Sequence, residues 1–142
     1  MSPPPSAVGL LPHAFPFLLI DRILMIEPGR WAAAVKNVTR NEPMVNDRSE
    51  LPAVILAEVM AQTAGLAAAP SPTSPTPAVL AKLDRFRCRS IAVGDQLLAI
   101  ARVVRRLGAA VSVHACVLVD QRPRAATELV LHFAPASAGS PR

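Results

Sequence analysis

The stretch Pro52-Ala-Val-Ile-Leu-Ala-Glu58-Val-Met-Ala-Gln-Thr-Ala-Gly-Leu-Ala-Ala-Ala69 decides the fold of this 142-residue chain. It begins with a proline suited to a first helical turn and ends before Pro70, so it predicts one long helix over residues 52–69. Its residues are apolar on nearly every side, and a helix of that kind has to be covered by other elements. The stretch therefore predicts a central, enclosed helix.

Strands are predicted on both sides of this helix. Before it, residues 21–26 and 31–39 flank the turn sequence Glu-Pro-Gly-Arg and favour a hairpin. After it, the segments 78–87 and 96–106 are candidate strands joined through Val-Gly-Asp, and apolar residues recur at alternate positions in the segments 111–119 and 125–133. Antiparallel strands with a single helix predict an α+β architecture, in which a curved sheet wraps around the helix.

The whole chain, residues 1–142, is predicted to form one domain, since its length suits a single core. With 51% hydrophobic residues but only 4% aromatic residues, that core is predicted to be aliphatic. The segment 70–77 contains four prolines in eight residues and is predicted to be an extended surface loop. Residues 1–9 and 135–142 are predicted to be flexible tails.

Composition excludes several classes of function. The first residues lack the features of a secretory signal, and the apolar helix carries a carboxylate, so the protein is predicted to be cytoplasmic and without a membrane partner. Cys88 and Cys116 lie far apart and predict neither a metal site nor a disulfide. The net charge of +5 would suit a polyanion. Stacking aromatics and known motifs are lacking, however, so no nucleic acid partner is predicted.

Glu58 is the candidate catalytic residue because it is the only ionisable side chain between Pro52 and Ala81. An unpaired carboxylate is costly to bury, so it finds partners or takes up a proton. On a helix, Glu58 and Gln62 project from one face, with Thr63 beside them. Two interpretations stay open: a structural carboxylate bonded to a neighbouring strand, and a proton donor in an apolar tunnel.

Histidine, the usual partner of such a carboxylate, is absent between His13 and His114. His13 lies in a proline-rich segment and is interpreted as a packed residue that could line the site. His114 and His132 fall on faces of predicted strands and are interpreted as surface or sheet-packing residues. The sequence near Glu58 therefore lacks an imidazole.

Three arginines, Arg85, Arg87 and Arg89, fall on or directly after one predicted strand. They form either a solvated strand edge or a surface that attracts an acidic protein partner or a phosphate-bearing substrate. No Gly-rich phosphate loop and no G-x-S-x-G motif is present, so neither a cofactor nor a serine nucleophile is predicted.

Five blocks of sequence together resemble the hotdog-fold 3-hydroxyacyl-acyl-carrier-protein dehydratases of fatty acid synthesis. In order they read Leu-Pro-His-Ala-Phe-Pro-Phe-Leu-Leu-Ile-Asp-Arg-Ile-Leu, Glu-Pro-Gly-Arg, Lys-Asn-Val-Thr-Arg-Asn-Glu-Pro, Glu-Val-Met-Ala-Gln-Thr-Ala-Gly and Val-Gly-Asp-Gln-Leu. The resemblance covers residues 10–134 and implies a hotdog fold and a dimer. It also implies a tunnel at the dimer interface for an acyl chain carried on the phosphopantetheine of an acyl carrier protein, with no other cofactor.

The resemblance further implies a catalytic pair, in which a His of one subunit acts on the C2 proton and a Glu of the other assists loss of the 3-hydroxyl as water. Glu58 matches that Glu. The His has no match, because the family's Gly-His-Phe-Pro-Gly is replaced by a shorter segment in which Asp47 or Arg48 falls near the missing imidazole. Arginine stays protonated and is a poor base, and Asp47 could act only if its basicity were raised.

This shortened form resembles the divergent dehydratase-like subunits of aryl-polyene and type II polyketide pathways, which occur beside a typical dehydratase. The resemblance implies a heterodimer in which the partner supplies the His opposite Glu58, or otherwise a homodimer. Arg85, Arg87 and Arg89 would dock the carrier protein. Two alternatives stay open: a non-catalytic hotdog scaffold that recruits the carrier, and an acyl thioesterase on the same fold.

Overall fold

The structure is a computed structural model that describes residues 18–42, 45, 47, 49–70 and 77–134. The described residues form a strand pair, one helix and four further strands. In chain order these are β1 (Arg22–Glu27), β2 (Trp31–Asn37), α1 (Ala53–Ala68), β3 (Ala78–Cys88), β4 (Gln96–Leu107), β5 (Ala110–Val119) and β6 (Arg122–Phe133). The predicted tails at residues 1–9 and 135–142 and most of the predicted loop 70–77 lie outside the described residues.

The six strands form one antiparallel sheet in the order β1-β2-β4-β5-β6-β3. Helix α1 packs against one face of this sheet, chiefly on β4, β2 and β5. We call this the inner face; its core is aliphatic because alternate residues of each central strand point toward α1, among them Leu97, Ala99, Ala101, Val111, Val113, Val117 and Leu129. One helix held by a single curved antiparallel sheet is the hotdog fold, and the fold-class prediction is confirmed.

Both ends of α1 are tied to the sheet. At its carboxyl end, the backbone N–H of Gly29 donates to Ala67 at 2.9 Å and the guanidinium of Arg106 donates to the carbonyl of Ala68 at 2.6 Å. A cation at this end also complements the helix dipole. Just before the helix, the N–H of Leu51 donates to the carbonyl of Ile91 at 2.8 Å. These bonds fix the position of α1 along the sheet.

The β5–β6 hairpin is tighter than the sequence pattern indicated. The predicted strands 111–119 and 125–133 left residues 120–124 to the connection, but Arg122 already pairs with Val119. The turn is the two-residue type that requires positive φ, with Asp120 at 49° and Gln121 at 65°. Pro123 is accommodated because the strand register shifts beside it. Strand β6 therefore begins earlier and includes Arg124.

Helix α1 has 16 residues. Within the described ranges of the chain, no helix combines the length and the apolar character needed to cross a membrane.

Candidate active site

A hydrogen-bonded chain on α1 links Glu58 to the segment that precedes β1. The side-chain amide of Gln62 donates to Oε1 of Glu58 at 3.2 Å, and its carbonyl oxygen accepts the backbone N–H of Leu19 at 3.0 Å. Gln62 is 2% exposed, whereas Glu58 is only partly buried. The structure therefore confirms that these two side chains share one helix face, with the carboxylate at the more accessible end.

The orientation of the Gln62 amide follows from its two partners. The N–H of Leu19 can only donate, so the oxygen of Gln62 has to face it and the NH₂ group has to face Glu58. A carboxylate that accepts from an amide is held in one rotamer. Gln62 therefore orients Glu58 and anchors the chain before β1 at the same time.

Thr63, which the helix pattern placed beside these residues, does not join them. Its hydroxyl donates to the carbonyl of Val59 at 2.8 Å, one turn earlier in the same helix. The side chain is fully buried and occupied by this backbone contact. The polar group at the site thus consists of Glu58 and Gln62 alone among the described residues of α1.

The other predicted site-lining residues lie before the helix. Asp47 is described and is exposed in a turn, while Arg48 and His13 lie outside the described residues. Asp47 and Arg48 belong to the connection between β2 and α1. The end of that connection is fixed, because the backbone of Glu50 forms an isolated β-bridge with the backbone of Ala92. The structure places Asp47 in water, and among the described residues it shows no hydrogen bond between Asp47 and Glu58.

A buried ion pair, which the sequence interpretation missed, anchors the start of the same connection. Nζ of Lys36 lies 2.7 Å from a carboxylate oxygen of Glu42, and their side chains are only 4% and 11% exposed. The available signal was Lys36 itself, the only charged residue in strand β2. The reasoning applied to Glu58, that a lone charge in an apolar element needs a partner, would have identified it.

The two described histidines lie on the face of the sheet opposite to α1, which we call the outer face. His114 is exposed on β5, and its Nε2 lies 3.0 Å from Glu128 on β6. His132 is exposed further along β6. Since the sheet separates both rings from the helix, neither completes an acid/base pair with Glu58.

The predicted arginine group is divided between two clefts. Arg85 and Arg87 line an outer-face cleft of about 430 Å³ together with Arg102, His114 and Glu128. A β-bulge in β3 exposes this pair, since the register shifts between Asp84 and Arg87 and Arg85 adopts a φ of 51°. Arg89 follows β3 and lines a second cleft, again with Arg87.

The cysteines offer no nucleophile at the site. Burial raises the pKa of the Cys116 thiol, which lowers its thiolate fraction at neutral pH. Cys88 is exposed at the end of β3. In the part of the chain that the structure describes, no three His, Cys, Asp or Glu side chains are grouped as metal ligands would be.

Comparisons with known proteins agree with this fold. The family model described as ApeP-like, ApeP dehydratase, matches residues 5–138. The chain is 39% identical over 107 residues to the 3-hydroxyacyl-acyl-carrier-protein dehydratase FabZ of Listeria monocytogenes, a match that covers 70% of this chain and 74% of the relative. The corresponding enzyme of Listeria welshimeri gives the same values.

Solved structures show the same fold. The dehydratase heterocomplex ApeI:P of Xenorhabdus doucetiae superposes with a TM-score of 0.80 at 17% identity, covering 94% of this chain and 93% of that chain. A hypothetical thioesterase with coenzyme A from Streptococcus pneumoniae gives a TM-score of 0.66 at 10% identity, covering 80% and 84%. The family match extends over nearly the whole chain. This protein therefore belongs to the ApeP-like dehydratase family of hotdog-fold proteins.

Proposed function

We propose that this chain is the glutamate-bearing subunit of a dehydratase that converts 3-hydroxyacyl chains on an acyl carrier protein into trans-2-enoyl chains. The observation that carries the proposal is Glu58, partly buried on the enclosed helix and oriented by Gln62. The matched FabZ enzymes are named as dehydratases of carrier-bound 3-hydroxyacyl groups. We place the reaction in fatty acid or polyene and polyketide synthesis.

In the proposed reaction, an imidazole of the partner subunit removes the C2 proton. The C3–O bond breaks, the double bond forms between C2 and C3, and Glu58 in its acid form donates the proton with which the hydroxyl leaves as water. The proton held by the imidazole then restores the acid form of Glu58. The amide of Gln62 keeps the carboxyl group in one orientation throughout the cycle.

The need for a partner is supported by the positions of the histidines. His114 and His132 lie on the outer face, and the chain's remaining histidine, His13, lies outside the described residues. The heterocomplex ApeI:P shows that a dehydratase of this fold assembles from two different subunits. We therefore propose a heterodimer in which the other subunit supplies the catalytic His.

The edge strand β3 is the surface we propose for this partner. All but two of its eleven residues are exposed. They include Val79 at 68%, Leu80 at 40% and Leu83 at 38% exposure, and β3 lies at one edge of the sheet, so one side of its backbone faces no other strand of the described residues. A strand from a second subunit would pair with this edge and cover these side chains.

The test is to assay the chain with and without a His-bearing dehydratase of the same pathway, using a 3-hydroxyacyl carrier thioester and following the loss of water by mass spectrometry. Glu58→Gln in the pair should lower the rate about a hundredfold or more, as expected for a removed general acid. Glu27→Gln, a change of the same kind in the exposed β1–β2 hairpin, is the matched control. An unchanged rate for Glu58→Gln would refute the role of Glu58, and full activity of the purified homodimer would refute the need for a partner.

A non-catalytic scaffold is the second candidate. It is favoured by the two hydrogen bonds that link Gln62 to Leu19 and to Glu58, because they also hold the segment before β1 against the helix. In that case Glu58→Gln should lower the melting temperature while turnover per folded complex stays normal. Measuring stability and rate on the same preparation separates the two functions.

We propose that Arg85 and Arg87, which line the outer-face cleft, attract the acidic acyl carrier protein. Arg85→Glu with Arg87→Glu should weaken binding of a carrier without its prosthetic arm, and most strongly at low salt. Arg105→Glu is an exposed charge reversal outside both clefts and serves as the control. Equal binding by the two variants would assign Arg85 and Arg87 to a solvated surface.

A further inference from the structure

A cleft of about 490 Å³ lies where β3 ends and β6 begins. Three arginines line it, Arg87, Arg89 and Arg124, together with Cys88 and the small apolar residues Pro123, Ala125 and Ala126. The backbone N–H of Arg89 donates to the carbonyl of Arg124 at 2.7 Å. This bond holds the residues that follow β3 against the start of β6 at this end of the sheet. Arg124 comes from the first part of β6, which precedes the predicted strand 125–133.

The charge of this cleft is not balanced. Among the described residues, none of its three guanidinium groups forms an ion pair and no Asp or Glu lines the cleft. The neighbouring outer-face cleft differs, since there Glu128 lies 3.8 Å from Arg85 and 3.0 Å from His114. Three unneutralised cations in one concave site attract an anion.

A second observation also calls for a ligand. Nε of Arg124 is buried and has no hydrogen-bond acceptor within the described residues. A buried donor on a cationic group is costly to leave unsatisfied, and native structures rarely do so without a reason. Because Arg124 also lines the cleft, an anion bound there would supply an acceptor to this guanidinium group.

We propose that Arg87, Arg89 and Arg124 form a binding site for a phosphate ester. Guanidinium groups present parallel N–H donors that match the oxygens of a phosphate, and three of them suit its charge. The apolar side of the cleft, at Pro123, Ala125 and Ala126, accommodates the organic part of the ester. The phosphate belongs either to the prosthetic arm of a carrier protein or to a soluble phosphate ester.

The cleft lies at the end of the sheet where α1 begins. Ile91, two residues after Arg89, accepts the N–H of Leu51 just before the helix. From the first residue of α1, Glu58 is five residues along the helix, or roughly 8 Å along its axis. The site is nevertheless independent of the proposed dehydration, because anion binding is measured without turnover.

Calorimetric titration of the full chain at low salt tests the site, using inorganic phosphate, phosphopantetheine and pantetheine as probes. We expect both phosphates to bind and pantetheine not to bind. Tighter binding of phosphopantetheine than of phosphate identifies the carrier arm as the source, and weaker binding identifies a soluble ester with a different organic part. Equal binding would refute contact between the apolar side of the cleft and the ester. Binding of pantetheine as tight as that of phosphopantetheine would overturn the proposal.

Matched variants locate the binding to Arg124. Arg124→Gln should raise the Kd for phosphate about tenfold or more, the loss expected for one charge-assisted contact. Arg124→Lys keeps the charge but lacks Nε, and it should also bind about tenfold more weakly. Arg122→Gln, the same charge change two residues earlier in β6, should stay within about twofold. Unchanged binding by Arg124→Gln or by Arg124→Lys would overturn the assignment, provided that circular dichroism shows folded protein.

Discussion

Replacing Glu42 by Gln removes one charge of the buried ion pair and leaves the ammonium group of Lys36 in the core. The two groups are 2.7 Å apart, and the Lys36 side chain is only 4% exposed, so water cannot replace the lost partner. Breaking a buried pair in this way costs about 3–5 kcal/mol. That is a large share of the roughly 5–15 kcal/mol by which a domain of this size is stable.

The assay is equilibrium unfolding in urea at one fixed protein concentration, with the midpoint compared at constant slope. The double variant Lys36→Met with Glu42→Leu removes both charges. Its free energy of unfolding should fall by less than that of either single variant, Lys36→Met or Glu42→Leu. Lys82→Gln breaks the exposed pair with Asp84, whose side chains are 65% and 50% exposed, and should cost less than about 1 kcal/mol.

Two results would refute this reasoning. If Glu42→Gln lost no more stability than Lys82→Gln, the buried pair would contribute no more than a surface pair. If the double variant lost the sum of the two single changes, the two side chains would act independently and the connection would be anchored by other contacts.

Three further predictions concern single side chains. Because burial raises the pKa of the Cys116 thiol, its alkylation at pH 7 should be about tenfold or more slower than that of exposed Cys88. The alkylation of Cys116 should accelerate as the pH rises. Mass spectrometry of the variants Cys88→Ser and Cys116→Ser, each of which keeps one cysteine, measures both rates. Gln62→Leu should lose about 1–3 kcal/mol, since a buried backbone N–H loses its acceptor, and should slow the paired enzyme; urea unfolding and the dehydration assay measure both. Arg106→Gln should lose about 1–2 kcal/mol at the carboxyl end of α1, while exposed Arg105→Gln should be neutral in the same unfolding assay.

Much of the fold could be predicted because it depends on local patterns. The apolar run of α1 and the alternation in β5 and β6 each indicate an element within one short window of sequence. Strand β6 was predicted too short, since residues 122–124 were left to the connection although a register shift accommodates Pro123 in the strand. This error hid Arg124 and with it the second arginine cleft.

The candidate site could be predicted only in part. Glu58 and Gln62 are four residues apart, so helix geometry alone placed them together. The contact between Gln62 and Leu19 spans 43 residues and depends on the path of the chain over the helix. No local pattern reports such a contact, and the same holds for the division of the arginines between two clefts.

The open edge formed by β3 has a consequence for how this protein is produced in a cell. The side of β3 that faces away from β6 is a template on which another extended chain can add, and apolar side chains lie beside it. Lys82, Arg85 and Arg87 oppose this by charge repulsion, as gatekeeper residues do. In the proposed heterodimer, copies made in excess of the partner should therefore aggregate or be degraded, so that solubility would depend on balanced synthesis of the two subunits.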